Sequence, residues 1–466
     1  MIAANISTEH FVGMAGQGAG KAGLAVAGYE WLAAITLVCV ALFFLPRFLR
    51  CGLYTIPEFL EYRYHTAARG IMALYTLAIY VCVTIVAVVY SGALALETIF
   101  GMELLGGVWL IGVLAALYTA WGGLKAVAWA DLFQGSALLL GGAATLWIGL
   151  DAVGGPASFF AANRERLHVV LPSDHPVVPW TALVVGLWIP NFYYWGLNQF
   201  ITQRALAARS LRQGQLGILF AAGLKLLIPF LIIFPGMIAL QLYPEQLAET
   251  PDRAFPVLIV RLIPSGLRGF RFAAIAVAVS STLASMLNSV STILTVDLYR
   301  RYFRPDASPG RMIAIGRAST LLFVAATCVL VTLLAPYLRD PRRSHGVFTY
   351  IQEFQGYISP GVLAAFVFGL FVPKAPTAAG LTALLGCPPL YGLLHLCLGE
   401  VAFLDRMALT FGALVAVMSL ITALQPLSAP RRLPRSAGLD LRPHPAVVWL
   451  GALVIAATCA LYVVFW

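Results

Sequence analysis

Two charged side chains stand alone in long apolar stretches of this sequence. Lys225 lies in LFAAGLKLLIPFLIIFP, and Glu30 lies in AVAGYEWLAAITL. A charged side chain at the centre of a membrane helix costs about 2.5–3.5 kcal/mol on insertion scales. We therefore expect Lys225 either to face a polar cavity or to pair with a buried carboxylate. Glu30 is expected to contact a polar ligand or Lys225 itself.

Amide side chains occur in two further segments that are otherwise apolar and aromatic. The run IPNFYYWGLNQF contains Asn191 with Pro190 and Gly196, and a proline and a glycine so close together loosen a helix. Freed backbone groups are tolerated at membrane depth where they line a cavity, although aromatic residues also form belts at the interface. Gln352, in FTYIQEFQGYISPG, could point into such a cavity or cap its helix at the interface.

Small and hydroxyl-bearing residues in AVAVSSTLASMLNSVST indicate a possible cation site. Ala278, Ser281 and Thr282 are three and four residues apart, so they share one face of a helix. Small residues in this arrangement also simply allow helices to approach each other closely. A backbone carbonyl and two hydroxyl groups in a row are neutral oxygen ligands of the kind that would bind Na⁺ weakly enough to release it.

The first residues of the chain add to this cation site. Ala3 and Ile6 are one helical turn apart, with Asn5 between them. A break in the helix at this point would free the carbonyl groups of Ala3 and Ile6, which would join the oxygens of the segment around Thr282. Discontinuous helices with ion and substrate sites near the bilayer midplane are typical of secondary transporters.

The elements that position these residues follow from composition. The chain has 466 residues, of which 60% are hydrophobic and 11% charged, with a mean hydropathy of +0.86. Soluble domains carry about 25% charged residues, so the chain is predicted to be an all-α integral membrane protein with about twelve complete spans. We place these spans at 22–46, 69–100, 104–120, 124–151, 178–200, 213–244, 267–298, 311–338, 348–373, 376–398, 406–427 and 444–466, with a partial helix at 2–20.

The net charge of +10 does not indicate nucleic acid, because the arginines cluster in alternate loops. This positive-inside bias predicts a multi-pass protein of the cell (inner) membrane. The predicted cytoplasmic loops contain Arg47, Arg50, Arg63 and Arg69; Arg204, Arg209 and Arg212; Arg300, Arg301 and Arg304; and Arg431, Arg432 and Arg435. No nucleophile–base pair or metal cluster stands out in the sequence, so we do not expect an enzyme.

Nine runs of residues carry a resemblance to a known family. They are AANIS, YEWLAAITL, YTIPEF, NFYYWGLNQ, QRALAARS, FAAGLKLLIPF, SSTLASMLNS, TVDLY and YIQEFQG. Together they resemble the sodium:solute symporter family, and most of all its sodium/glucose cotransporter branch. The resemblance covers essentially the whole chain. It implies a LeuT-type fold with two inverted five-helix repeats, at 2–151 and 178–373, and three accessory helices at 376–466.

The resemblance also implies roles for individual residues. Sodium would bind at Ala3, Ile6, Ala278, Ser281 and Thr282, with Asp131 on the sodium path. The sugar would contact His10, Glu30, Asn191, Lys225 and Gln352. The outer gate would consist of Met14, Tyr29 and Phe348, with Tyr194 closing the inner side.

Three positions depart from the galactose-transporting bacterial members. His10 replaces a glutamine, although mammalian members also have histidine there. Ala33 replaces a serine, which removes a hydroxyl contact, and Thr84 replaces an asparagine. The identity of the sugar is therefore not carried over with the fold.

The function implied is sodium-coupled import of a hexose such as glucose or galactose by alternating access, with the lipid bilayer, Na⁺ and a small sugar as partners. A symporter of another small solute such as myo-inositol, or a sugar sensor without transport, are the alternatives. Family members have an extra helix and the first half of the broken helix before AANIS. We therefore expect either a start codon upstream of Met1 or a truncated copy.

Overall fold

The computed structural model describes residues 5–6, 9–262, 279, 282–339, 346–431, 433–434 and 444–466, without the side chains of 118 and 120–134. These residues form helices and one isolated β-bridge between Leu171 and Pro179. The first half contains α1 (Glu9–Met14 continued by Ala15–Ala19), α2 (Gly23–Cys51), α3 (Pro57–Arg63), α4 (Thr66–Phe100), α5 (Leu104–Ala152), α6 (Pro156–Ala162), α7 (Trp188–Phe192) and α8 (Gln199–Leu206).

The second half of the described chain continues the same architecture. It contains α9 (Leu211–Leu242), α10 (Pro244–Leu247), α11 (Ala254–Leu262), α12 (282–303), α13 (Pro309–Arg339), α14 (Val347–Gln355), α15 (Ser359–Phe371), α16 (Thr377–Cys397), α17 (Phe403–Leu424) and α18 (Pro445–Val464). Within the described residues, eight helices are long and apolar enough to cross a membrane, or nine if α14 and α15 form one bent span. The twelve-span prediction is partly untested, because 267–278 lies outside the described residues.

Two span boundaries differ from the sequence prediction. The break expected between 120 and 124 is absent, because α5 runs as one helix from Leu104 to Ala152. Gly122 and Gly123 lower helix propensity by about 1 kcal/mol each, but they keep their backbone donors and do not by themselves end a helix. Conversely, the single span expected at 348–373 is bent by 48° between α14 and α15.

Helix α9 organises the interior, since it packs against α1, α2 and α5. Trp31 of α2 is fully buried against it, and its indole N–H donates to the Leu226 carbonyl at 3.3 Å. Further along α9, Gly236 allows α1 to approach so closely that a Cβ at this position would overlap the Ala15 carbonyl. The packing therefore fixes α1 and α2 relative to the buried Lys225.

A buried ionic cluster ties the two halves together on the predicted cytoplasmic side. Arg69, at the start of α4, donates to Asp297 of α12 at 2.7 Å and to Glu61 of α3 at 2.8 Å. Thr55 also donates to Asp297, at 2.8 Å. Asp297 is fully buried, so these charge-assisted bonds offset the cost of burying its charge.

Candidate functional site

The broken helices surround a cavity of about 50 Å³ between α1, α2, α7 and α14. The resemblance assigned nine residues to substrate and gates, and seven of them line this cavity: His10, Glu30, Asn191, Gln352, Tyr29, Tyr194 and Phe348. Lys225 and Met14 are buried outside the lining. Residues from distant parts of the sequence are thus brought to one site.

Helix α7 is distorted where the sequence places its proline and glycine. A π-helical turn, Tyr193–Leu197, follows Trp188–Phe192, and the backbone becomes extended at Asn198 before α8 begins. The distortion leaves Asn191, Tyr194 and Trp195 on the cavity wall. The prediction that Pro190 and Gly196 loosen this helix next to a cavity is confirmed.

Lys225 is paired, which was one of the two alternatives for it. Its ammonium group is fully buried and donates to Glu30 and to the Asn5 side-chain oxygen. It also lies 4.7 Å from the centre of the Trp195 ring, a cation–π geometry. The pair places the carboxylate of Glu30 at the cavity wall and the ammonium directly behind it.

Asn5 joins the buried lysine to the inner side of the cavity. While its oxygen accepts from Lys225, its amide nitrogen donates to the Tyr194 hydroxyl at 2.9 Å. Ile6, the next residue, lies outside regular helix, as expected for a break in α1. One residue therefore connects the predicted sugar ligand Lys225 with the predicted inner gate Tyr194.

Several polar atoms of the cavity wall have no hydrogen-bond partner among the described residues. They are the His10 Nδ1 atom, the Tyr29 hydroxyl and the Gln355 side-chain oxygen. The His10 ring lies 3.7 Å from Glu9 on one side and 3.7 Å from Glu30 on the other. Because buried donors and acceptors without partners are costly, a ligand with several hydroxyl groups would satisfy what the protein leaves open.

Aromatic residues cover the cavity on the predicted outer side. Phe348 of α14 contacts Tyr29 edge-to-face with ring centres 5.0 Å apart, and it lies 6.3 Å from the His10 ring. Tyr29 and Phe348 are 6% and 5% exposed, and Met14 is fully buried. The three predicted outer-gate residues are therefore all packed away from solvent.

Only part of the predicted sodium site lies within the described residues. Ile6 is buried, and Thr282 is buried with a hydroxyl that has no partner among the described residues. Ala3, Ala278 and Ser281 lie outside the described residues, as does the side chain of Asp131.

Comparisons with known proteins identify the family. The model of the sodium:solute symporter family matches residues 1–386. A sodium/glucose cotransporter of Vibrio parahaemolyticus is 38% identical over 88% of this chain and 79% of its own length. The chain belongs to the sodium:solute symporter family. Among other relatives, the uncharacterized symporter YidK of Escherichia coli is 34% identical over 98% of this chain and 81% of its own length.

The symporter also resembles mammalian and structurally known proteins. A sodium/myo-inositol cotransporter 2 of Oryctolagus cuniculus is 34% identical over 80% of this chain, which spans 60% of that relative. A solved structure of a Na⁺-coupled sialic acid symporter in its substrate-bound outward-open state has a TM-score of 0.78 at 21% identity, over 93% of this chain and 89% of its own. The predicted LeuT-type fold and multi-pass placement in the cell membrane are confirmed.

Sequence reasoning missed several residues that line the site of this symporter. Glu9 is buried beside His10, and Trp195 and Gln355 face the cavity with the residues that were predicted. Glu9 carried a signal, since it is a carboxylate in an apolar segment next to a predicted ligand. Gln355 is one helical turn after Gln352, so periodicity alone would have placed the two amides on one face.

Proposed function

We propose that the protein imports a neutral sugar, a hexose such as glucose or galactose, together with Na⁺. The observation that carries the proposal is the cavity in which His10, Tyr29 and Gln355 present open hydrogen-bonding groups beside the carboxylate of Glu30. The names of the sodium/glucose relatives support the same substrate class.

The cavity chemistry suits a polyhydroxylated ring. Glu30 accepts hydrogen bonds, Asn191 and Gln352 both donate and accept, and a neutral His10 does the same. The Tyr194 and Trp195 rings contribute apolar surface, against which the apolar side of a sugar ring can pack. A sugar with one hydroxyl group in the wrong configuration would leave a buried group of the protein without a hydrogen-bond partner. Each such unpaired group costs about 1–3 kcal/mol of binding free energy, so the site can discriminate between epimers.

Charge argues against an anionic substrate. The carboxylates of Glu9 and Glu30 both line the cavity, whereas the ammonium of Lys225 is already engaged by Glu30 and Asn5. A carboxylate substrate would have to approach two like charges in a poorly solvated space, where repulsion is strong. A neutral solute meets no such penalty.

Coupling to Na⁺ follows from the shared position of the two sites on α1. Ile6, a proposed sodium ligand, is one turn before His10, a proposed sugar ligand. Bound Na⁺ would order the break in α1 and with it the position of His10, so that the sodium-bound protein binds sugar more tightly. Each charge moved through the membrane field adds about 2.3 kcal/mol per 100 mV, which can drive accumulation.

The test is uptake into proteoliposomes containing the purified protein. Labelled glucose, galactose and myo-inositol are offered separately, with an inward Na⁺ gradient or with choline in its place. Hexose accumulation that requires the Na⁺ gradient and collapses with a sodium ionophore supports the proposal.

Two results would contradict it. Hexose uptake of equal size in choline would remove the coupling to Na⁺. Sodium-driven uptake of myo-inositol alone would keep the coupling but replace the substrate, and the relative from Oryctolagus cuniculus makes this the natural alternative.

A further inference from the structure

A buried carboxyl group on the predicted outer side belongs to no part of the site described above. Asp252 lies in the short helical turn Pro251–Arg253, between α10 and α11, and is 7% exposed. Its Oδ2 atom accepts the backbone N–H of Val347 at 3.0 Å. Val347 is the first residue of α14, which also carries Phe348 and Gln352.

Backbone atoms of α1 and of the start of α14 pack closely around Asp252. A Cβ on Gly16 of α1 would overlap the carboxylate and lie 2.8 Å from the Asp252 Cα atom. A Cβ on Gly13, one turn earlier, would come within 2.7 Å of Val347. Gly346, with φ of +93°, turns the chain into α14 beside the carboxylate. The start of α14 is therefore clamped between α1 and Asp252.

We propose that Asp252 is a positioning residue of the outer gate, whose carboxyl group holds the start of α14 and thereby keeps Phe348 packed over the cavity. The proposal rests on the transport function proposed above. In this arrangement the carboxyl group caps a helix whose own preceding residue, Gly346, has no side chain to do so. Opening the gate requires α14 to leave α1, and this movement exposes Asp252 to water.

Protonation of Asp252 is coupled to this movement. Burial raises the pKa of Asp252 from its ordinary value of 3.8 to about 7, so the closed gate favours the protonated form. At pH values between these two pKa values, closing of the gate is accompanied by uptake of a proton by Asp252. The closed state therefore becomes more stable as pH falls below about 7. With an ordinary pKa in the open state, the ratio of closed to open gates rises roughly 30-fold from about pH 8.5 to about pH 5.5.

Other charged groups lie near Asp252. The outer cavity beside it, of about 400 Å³, is also lined by Lys21, Arg166, Glu249 and Arg339. Arg253, the next residue, and Arg339 of α13 pair with Glu97 at the end of α4, and Tyr90 of α4 also faces Asp252. His175 lies beside Lys21, and burial lowers the pKa of this histidine.

The decisive variant is Asp252→Asn, which keeps an oxygen for the Val347 N–H but cannot ionise. Sodium-driven uptake is measured between external pH 5.5 and 8.5 at constant internal pH, and KM for sugar is separated from the maximal rate. The wild-type KM is expected to rise several-fold as the external pH falls from 8.5 to 5.5, and the rise begins below about pH 7. Asp252→Asn should give a flat profile with a KM at least as high as the wild-type value at pH 5.5, whereas His175→Gln should keep the wild-type profile.

A second measurement follows the gate without transport. Thr349→Cys, buried beside Phe348, is labelled from outside with a membrane-impermeant maleimide, and labelling of the parent chain is subtracted. Thiol reactivity itself rises with pH, so labelling with Asp252 intact is compared at each pH with labelling in the Asp252→Asn background. We expect several-fold faster labelling with Asp252 present at pH 8.5, and a smaller difference between the two rates as the pH falls to 5.5.

The outcomes separate this inference from the proposed function. A wild-type profile that is flat from pH 5.5 to 8.5, or an Asp252→Asn profile identical to wild type, overturns the role of Asp252 while leaving sodium-driven uptake intact. Should Asp252→Asn fail to fold, Gly16→Ala displaces the same carboxyl group, and it must speed Thr349→Cys labelling at pH 5.5. Absence of uptake at every pH in the wild type refutes the transport function instead.

Discussion

At the scale of single residues, the pairing of Lys225 with Glu30 dominates the site. Both groups are buried, and removing one partner of a buried ion pair costs about 3–5 kcal/mol because the other charge is left uncompensated. Lys225→Met should therefore lower the unfolding temperature in detergent. The double variant Lys225→Met/Glu30→Gln should unfold at a temperature close to that of the wild type. Both variants should lose sugar binding. A double variant that binds labelled sugar like the wild type would contradict the role of the pair.

Thr282 offers a cleaner residue-scale test, because its hydroxyl has no partner among the described residues. Thr282→Val keeps the shape of the side chain and removes only its oxygen. Packing and folding should therefore be unaffected by this substitution. We expect the Na⁺ concentration for half-maximal uptake to rise about tenfold, corresponding to about 1.4 kcal/mol, and Thr282→Ser to restore it. Thr327→Val is the matched control, since that buried hydroxyl donates to Val81 at 3.3 Å; a normal sodium response in Thr282→Val would refute the assignment.

At the scale of helices, close contact between α1 and α9 holds the broken helix in place. Gly236→Ala would place a methyl group against the Ala15 carbonyl, and such overpacking costs about 1–3 kcal/mol. Gly223→Ala, on the same helix with nothing within 4 Å, should be neutral or stabilising by up to about 1 kcal/mol. Unfolding temperatures of the two variants, followed by tryptophan fluorescence, test this difference. Equal temperatures would show that α1 is not fixed by this contact.

Hydropathy was sufficient to predict the straight helices but not the distorted ones. The expected span 213–244 agrees with Leu211–Leu242 to within two residues, because a run of apolar residues is enough to specify a membrane helix. The bend between α14 and α15 was missed, although Gly356 and Pro360 flank it in the sequence. Asn5 was likewise noted only as a helix breaker, because its partner Lys225 is 220 residues away.

At the scale of the whole molecule, the two proposed ligand sets draw on both halves of the chain. Helix α1 supplies His10 and is preceded by Ile6, while α9 supplies Lys225 and α12 supplies Thr282. On the predicted cytoplasmic side, Arg69 and Asp297 join the same halves through buried bonds. Binding of either ligand therefore acts on one shared arrangement of helices, which is the physical basis for coupling.

Coupling of this kind is reciprocal, and this gives the last prediction. If Na⁺ raises the equilibrium affinity for sugar by some factor, sugar must raise the affinity for Na⁺ by the same factor, commonly about 5–150-fold. Binding of labelled sugar at low and high Na⁺, and of labelled Na⁺ with and without sugar, measures the two factors in detergent, where no gradient intervenes. In Thr282→Val, the sodium site should be mostly empty at low Na⁺, so the apparent affinity for sugar should be lower than in the wild type. At high Na⁺ the site fills, and the affinity for sugar should return to the wild-type value. Sugar affinity independent of Na⁺ in the wild type would mean that the sites are not coupled through α1, whatever their distance.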